Sequence, residues 1–288
     1  MPELCARRFN YREVIVMKKG ISVWSMPAEW DFEKIFSEAS AAGFEGVEIA
    51  LGSTGLSMES TDEEILVIKE IADKNGIKIF SVATTMLFDY PLTSNNPEIR
   101  EKGRAVVRKM IDIASLVGAE SVLVVPGVVS CAWRTDLGVT PYDVAYIRAL
   151  DNVRIVSSYA EEKGITIGIE NVWNRFLLSP LEMRDFIDKV GSDYVKAYFD
   201  AGNVLLFGHP DHWASVLGKR ITKVHIKDFK VDVGNLSGFV PLLEGDLDFP
   251  LFIKTLKEIG YDGWVTPEVS SEKTPAEIHA ALDRIINS

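Results

Sequence analysis

A short phrase recurs along the chain: a helical run, a glycine, then a brief run rich in valine and isoleucine. It stands at Gly43 (AAGFEGVEIA), Gly76 (KNGIKIFSV), Gly118 (LVGAESVLVV) and Gly164 (EKGITIGIE), and again at Gly191, Gly218 and Gly260. Each glycine falls where a helix would stop, a place that favours a residue able to adopt positive φ without a Cβ clash. The apolar runs that follow suit strands buried on both faces of a parallel sheet. With an opening run around Ile21 to Trp24, the phrase predicts eight strands. They fall near 19–25, 46–51, 77–85, 120–126, 165–171, 195–201, 221–227 and 263–269.

Helical patterns separate these runs. Residues 62–75 carry acids in the first turn and an apolar face at Ile65, Ile68, Ile71 and Ala72, while 97–117 and 144–163 predict longer helices of the same kind. Strictly alternating strands and helices define an α/β chain, either a closed (β/α)8 TIM barrel or a doubly wound open sheet. No G-x-G-x-x-G follows the first strand, which weakens the dinucleotide-binding form of the open sheet. No linker rich in Pro, Gly or Ser divides the chain, so residues 17–288 are expected to form one domain and residues 1–16 an N-terminal extension.

In a parallel barrel the loops after the strands build the site, so the polar residue ending each strand is informative. The fifth run, ITIGIEN, ends in Glu170 and Asn171. The sixth, VKAYFDAGN, ends in Asp200 with Asn203 in the turn. The seventh, ITKVHIKD, carries His225, Lys227 and Asp228, and the eighth, GWVTPEVS, ends in Glu268. A lone acid at a strand end is more often a helix cap or an ion-pair partner. Four successive strands each presenting one ligand type is a stronger pattern. Glu170, Asp200, His225 and Glu268 are therefore candidate ligands for one divalent ion, and a set of oxygens plus one imidazole suits Mn²⁺, with Mg²⁺ or Co²⁺ as alternatives. Trp24, Trp133 and Trp173 follow strands one, four and five, where aromatic walls against a sugar face and ordinary packing are equally fitting roles. Glu48, in the second strand, either lines the pocket or pairs with a neighbour. His209 and His212 mark the start of the sixth helix and His279 lies in the last; all three read as solvated, capping or structural.

The net charge of −11 disfavours a nucleic-acid partner, which needs a basic footprint. Cys5 and Cys131 offer neither a disulfide framework nor thiolate metal spacing. No run approaches the ~18 consecutive apolar residues of a membrane helix, and a cytoplasmic location is expected by default.

From about Met17 to Ile286 the chain resembles the xylose isomerase-like superfamily of barrels, nearest its sugar and sugar-phosphate 3-epimerases and isomerases. The phrases that carry the resemblance are GFEGVEIA, IGIENVWNRFLLSP, YFDAGN, VHIKD and EGDLDFPLFIKTLKEIGYDGWVTPE. The resemblance implies a closed barrel and one divalent metal, usually Mn²⁺, on the same four residues, Glu170, Asp200, His225 and Glu268. It also implies a small-molecule ketose or ketose phosphate as substrate and assembly into homodimers or homotetramers. One departure matters. Free-ketose 3-epimerases carry a glutamate and a histidine where this chain has Leu177 and Asn203, which is more like the pentulose-5-phosphate branch.

Such chemistry moves a proton on the carbon beside a carbonyl. Glu170 and Glu268 are the candidate acid–base pair, working on opposite faces of the sugar while the metal polarises its oxygens. Asn171, Asn203, Lys227, Trp24 and Trp173 are candidate substrate contacts. A phosphate, if present, would draw on the helix start at Ser179-Pro180-Leu181, on Lys230 and on Arg134. The alternatives are an aldose–ketose isomerase, a polyol-ketone dehydratase and a non-catalytic sugar-binding protein. A metal-dependent AP endonuclease is disfavoured by the charge and by only four histidines.

Overall fold

Gly118 and Gly164 close α3 (Pro97–Val117) and α4 (Tyr142–Lys163) at φ 74° and 69°, the left-handed conformation that turns the chain back into a strand. The other recurring glycines also adopt positive φ. These residues belong to a computed structural model that describes residues 16–288. The extension expected over 1–16 therefore lies, apart from Val16, outside the described residues, as does Cys5.

The eight expected strands are all present. They are β1 (Lys18–Ser22), β2 (Gly46–Leu51), β3 (Lys78–Thr84), β4 (Ser121–Val124), β5 (Thr166–Glu170), β6 (Val195–Asp200) and β7 (Ile221–Ile226), with β10 (Trp264–Pro267) as the eighth stave. They close into a parallel barrel in the order β1-β10-β7-β6-β5-β4-β3-β2. An open sheet would have left two edges unpaired; here β1 pairs with both β2 and β10. The strands run slightly shorter than their apolar patterns. In the first, the predicted stretch to residue 25 ends in a tight turn over Val23–Ser25.

Eight helices pack outside: α1 (Phe32–Ala42), α2 (Asp62–Lys74), α3, α4, α5 (Pro180–Val190), α6 (Pro210–Leu217), α7 (Phe249–Glu258) and α8 (Pro275–Ile286). Their starts are well specified. Thr61 with Glu64 and Thr274 with Glu277 form capping boxes on α2 and α8. The face predicted for α2 is buried at Ile65, Ile68 and Ala72. Each such aliphatic side chain contributes ~1.5–3 kcal/mol of burial. None of the described helices is long and apolar enough to cross a membrane.

The loop after β7 folds into a small hairpin, β8 (Asp228–Phe229) against β9 (Phe239–Val240), over the mouth of the barrel. Asp228 fastens it: its carboxylate accepts from the backbone N–H groups of Phe229 (2.9 Å), Gly245 (2.8 Å) and Leu247 (3.2 Å).

Candidate metal centre and the cavity above it

Strand register sets the level of the site. Asp200 on β6 stands beside His225 on β7, and His225 stands beside Thr266 on β10. Two residues past Thr266 the chain presents Glu268, whose N–H still donates to Ile226 O at 3.1 Å. Glu170 closes β5. One ligand atom from each of Glu170, Asp200, His225 and Glu268 lies within 4.8 Å of the others. Sequence reasoning named these four, and the barrel brings them together at the carboxyl ends of its strands.

The cluster is buried and overloaded with carboxylates. Glu170 is 6% exposed and Asp200 is fully buried. Burial pushes Glu170 up to about 7 against the pull of His225, and burial likewise raises Asp200 against Lys227. Burial works on Glu268 too, but Lys227 and His225 overcome it and hold that carboxyl down at about 2. His225 Nδ1 lies 2.8 Å from Glu268 Oε2 and 3.4 Å from Glu170 Oε1. The angles make no hydrogen bond with Glu268, however, so Nδ1 and Oε2 are both buried without a hydrogen-bond partner. Unpaired lone pairs converging in a dry site are costly unless a cation takes them. The donor set therefore fits a hard to borderline divalent ion.

Lys227 contributes the local positive charge. Its ammonium sits 2.6 Å from Asp200 Oδ2 and 3.0 Å from Glu268 Oε2. Burial opposes that charge, but Asp200, Glu268 and Glu170 outweigh it and raise the amine's proton affinity.

Behind the ligands lies a layer that sequence reasoning only half saw. Glu48 on β2 is fully buried, with Oε1 3.0 Å from His225 Nε2, and its other oxygen accepts from the Tyr198 hydroxyl. A carboxylate can only accept, so Nε2 carries the proton and Nδ1 presents its lone pair to the cluster. Tyr198 fits inside the barrel because its neighbour on β5 is Gly168. A Cβ there would come within 2.8 Å of the Tyr198 ring. The signal for Glu48 was one acid within the apolar run GVEIAL, which burial obliges to find a partner.

Asn171, expected to touch substrate, is instead committed to the backbone. Its amide donates to Asp200 O (2.8 Å) and accepts from Asp200 N (3.0 Å), clamping β5 to β6, and it does not line the cavity. Asn203 lines the cavity while donating to Asn171 O (3.0 Å) and taking Asp200 Oδ1 through its own N–H (2.8 Å). Lys227, Trp24 and Trp173 line it as well, and Trp173 donates to Asn203 O at 2.8 Å. The candidate phosphate contacts do not reach the cavity. Arg134 is tied to Asp89 and Asp136, Ser179 caps its own helix, and Lys230 is exposed. His209 and His212 are exposed at the start of α6, and half-buried His279 meets Phe44 edge-on.

Comparison with known proteins agrees with this geometry. The family described as xylose isomerase-like TIM barrel matches residues 36–287. An L-ribulose-5-phosphate 3-epimerase of Salmonella heidelberg is 25% identical over 279 residues, 92% of this chain and 92% of its own. A D-psicose 3-epimerase of Enterocloster bolteae is 24% identical over 265 residues, 89% of this chain and 83% of its own. Among solved structures, D-psicose 3-epimerase from Clostridium cellulolyticum H10 with D-tagatose superposes with a TM-score of 0.77 at 19% identity, covering 93% of this chain and 98% of that one. The chain belongs to the xylose isomerase-like TIM barrel family.

Proposed function

We propose that the protein is a metal-dependent isomerase that inverts C3 of a ketose or ketose phosphate. The observation that carries this reading is the convergence of two glutamates from different staves, Glu170 and Glu268, on the space shared by Asp200 and His225. The names of the curated relatives, all 3-epimerases, support it.

A divalent ion held by Glu170, Asp200, His225 and Glu268 would supply Lewis acidity for charge developing on the sugar oxygens. The protein's own groups do the proton work. One glutamate takes the C3 proton and the other returns a proton to the opposite face, with β6 and β7 separating the strands that carry them. Lys227 neutralises charge on the oxygens beside it. Manganese as the preferred ion, a cytoplasmic location and homodimeric or homotetrameric assembly belong to the same proposal.

Incubation of ketoses with Mn²⁺-loaded protein in D₂O, read by NMR, tests it. Inversion with deuterium at C3, abolished by chelator, is the expected result. Deuterium at C1 alone would identify an aldose–ketose isomerase, and loss of water a dehydratase.

A further inference from the structure

Above the ligand cluster the cavity has a volume of about 500 Å³, within the range of pockets that hold drug-sized ligands and more room than a bare pentulose needs. Its polar groups are few. Lys227 is the only cation among the described residues that line it, and that ammonium is already held by Asp200 and Glu268. Three lining residues are acids, Glu170, Asp228 and Glu268. Thr84 also lines it, but its hydroxyl is spent on Leu51 O and Met86 N.

The rest of the wall is apolar. Trp24, Phe88 and Trp133 come from the loops after β1, β3 and β4, with Phe88 and Trp133 edge to face at 5.6 Å. Trp173 faces them from the loop after β5, packed on Phe239 of the hairpin at 5.2 Å, and Leu236 adds to the hairpin's contribution.

A phosphate in a barrel is held by free backbone N–H groups in the loops after the last two strands and by a helix N-terminus there. Here those donors are filled from within. Asp228 takes the N–H groups of Phe229, Gly245 and Leu247, and Asp246 takes that of Val231 at 2.8 Å. The start of α7 is capped by Asp248 on Leu251 N, and that of α8 by Glu277 on Thr274 N. Carboxylates at these places repel an anion.

We infer that the substrate is an uncharged keto-sugar whose end away from the reacting carbons is apolar: a deoxy terminus or an apolar substituent, and not a phosphate. Hydroxyls placed against this wall would lose water without gaining partners, and a dianion would lose far more. The inference rests on the proposed ketose reading. It also runs against the branch suggested by Asn203 and Leu177.

A trio of ligands that differ only at C6 tests it: D-fructose, D-fructose 6-phosphate and 6-deoxy-D-fructose. Binding to the Mn²⁺-loaded protein is read by quenching of the fluorescence of the tryptophans that line the cavity, and turnover by NMR. The expected order is 6-deoxy-D-fructose tightest and the phosphate weakest, by at least about tenfold in both Kd and kcat/KM. A Leu236→Arg variant, which adds a cation at a half-open wall position, should narrow the gap between the phosphate and the other two about tenfold. Tighter binding or faster turnover of the phosphate overturns the inference, as does an unchanged gap in the variant or no quenching by any of the three. Quenching in the expected order without C3 inversion would instead sink the epimerase reading and leave the substrate class standing. Inversion with phosphate preferred would do the reverse.

Discussion

Glu48 Oε1 lies 3.0 Å from His225 Nε2, joining a carboxylate on the second stave to the imidazole of the seventh. The ring is thereby held with Nδ1 facing Glu170 and Glu268. Outer partners of this kind are worth ~10–100-fold in metal affinity. Glu48→Gln is expected to weaken Mn²⁺ binding within that range by calorimetric titration, because an amide can satisfy Nε2 with either tautomer. Tyr198→Phe, which removes only the second link, should weaken binding less. Unchanged affinity in Glu48→Gln would deny Glu48 any role in setting the ring.

The ligands and the acid–base pair separate by the ion they retain. Glu170→Gln and Glu268→Gln should each lower kcat by ~10²–10⁴-fold, the usual range for a general acid or base. Asp200→Asn should chiefly weaken the metal. Exchange of substrate hydrogen for solvent deuterium, followed with the metal saturating, distinguishes the two effects.

Metal removal should cost stability as well as activity. An ion that binds only the folded chain stabilises it by ~2.7 kcal/mol at a hundredfold excess over Kd. For a domain of this size that corresponds to a rise of roughly 5 °C or more in Tm, since each kcal/mol shifts it by about 2–4 °C. Differential scanning with and without chelator reads the change, and identical traces would deny a site at the cluster.

At the opposite end of the barrel Glu120 binds Lys223 (2.9 Å), which is 3% exposed, and also pairs with Lys78. Burial raises Glu120, but Lys223 and Lys78 bring it down to about 2. A carboxyl depressed on folding stabilises the fold above its unfolded pKa and loses that contribution as pH falls through its folded value. This part of the stability should be complete above about pH 4.5 and vanish towards pH 2. Glu120→Gln strands the Lys223 charge and should cost roughly 1–3 kcal/mol at pH 7, less than a fully buried pair because Glu120 is partly solvated. Denaturant melts at pH 7 and pH 3 check it: the gap between the two proteins should shrink at the lower pH.

The eight staves and the four clustered residues could be read from the chain because both are local signals. A glycine after each helix and an acid or imidazole at each strand end sit at predictable places. Glu48 could not be assigned a partner, since His225 lies far along the sequence and only barrel closure joins them. Asn171 misled for a related reason. Its place beside Glu170 suggested a substrate contact, but its amide satisfies the Asp200 backbone, a demand invisible until β5 and β6 pair. Arg134 and Lys230 were near the site in sequence and not in space.

Asp228 occupies the last position before the polypeptide leaves the seventh stave, and one carboxylate there pins both limbs of the overhanging hairpin. The canopy is thus riveted at a single point three residues from His225. A loop exchanged between that rivet and Leu247 could carry new side chains over the mouth without disturbing the imidazole beneath, so that substrate preference and metal chemistry can evolve as separate parts.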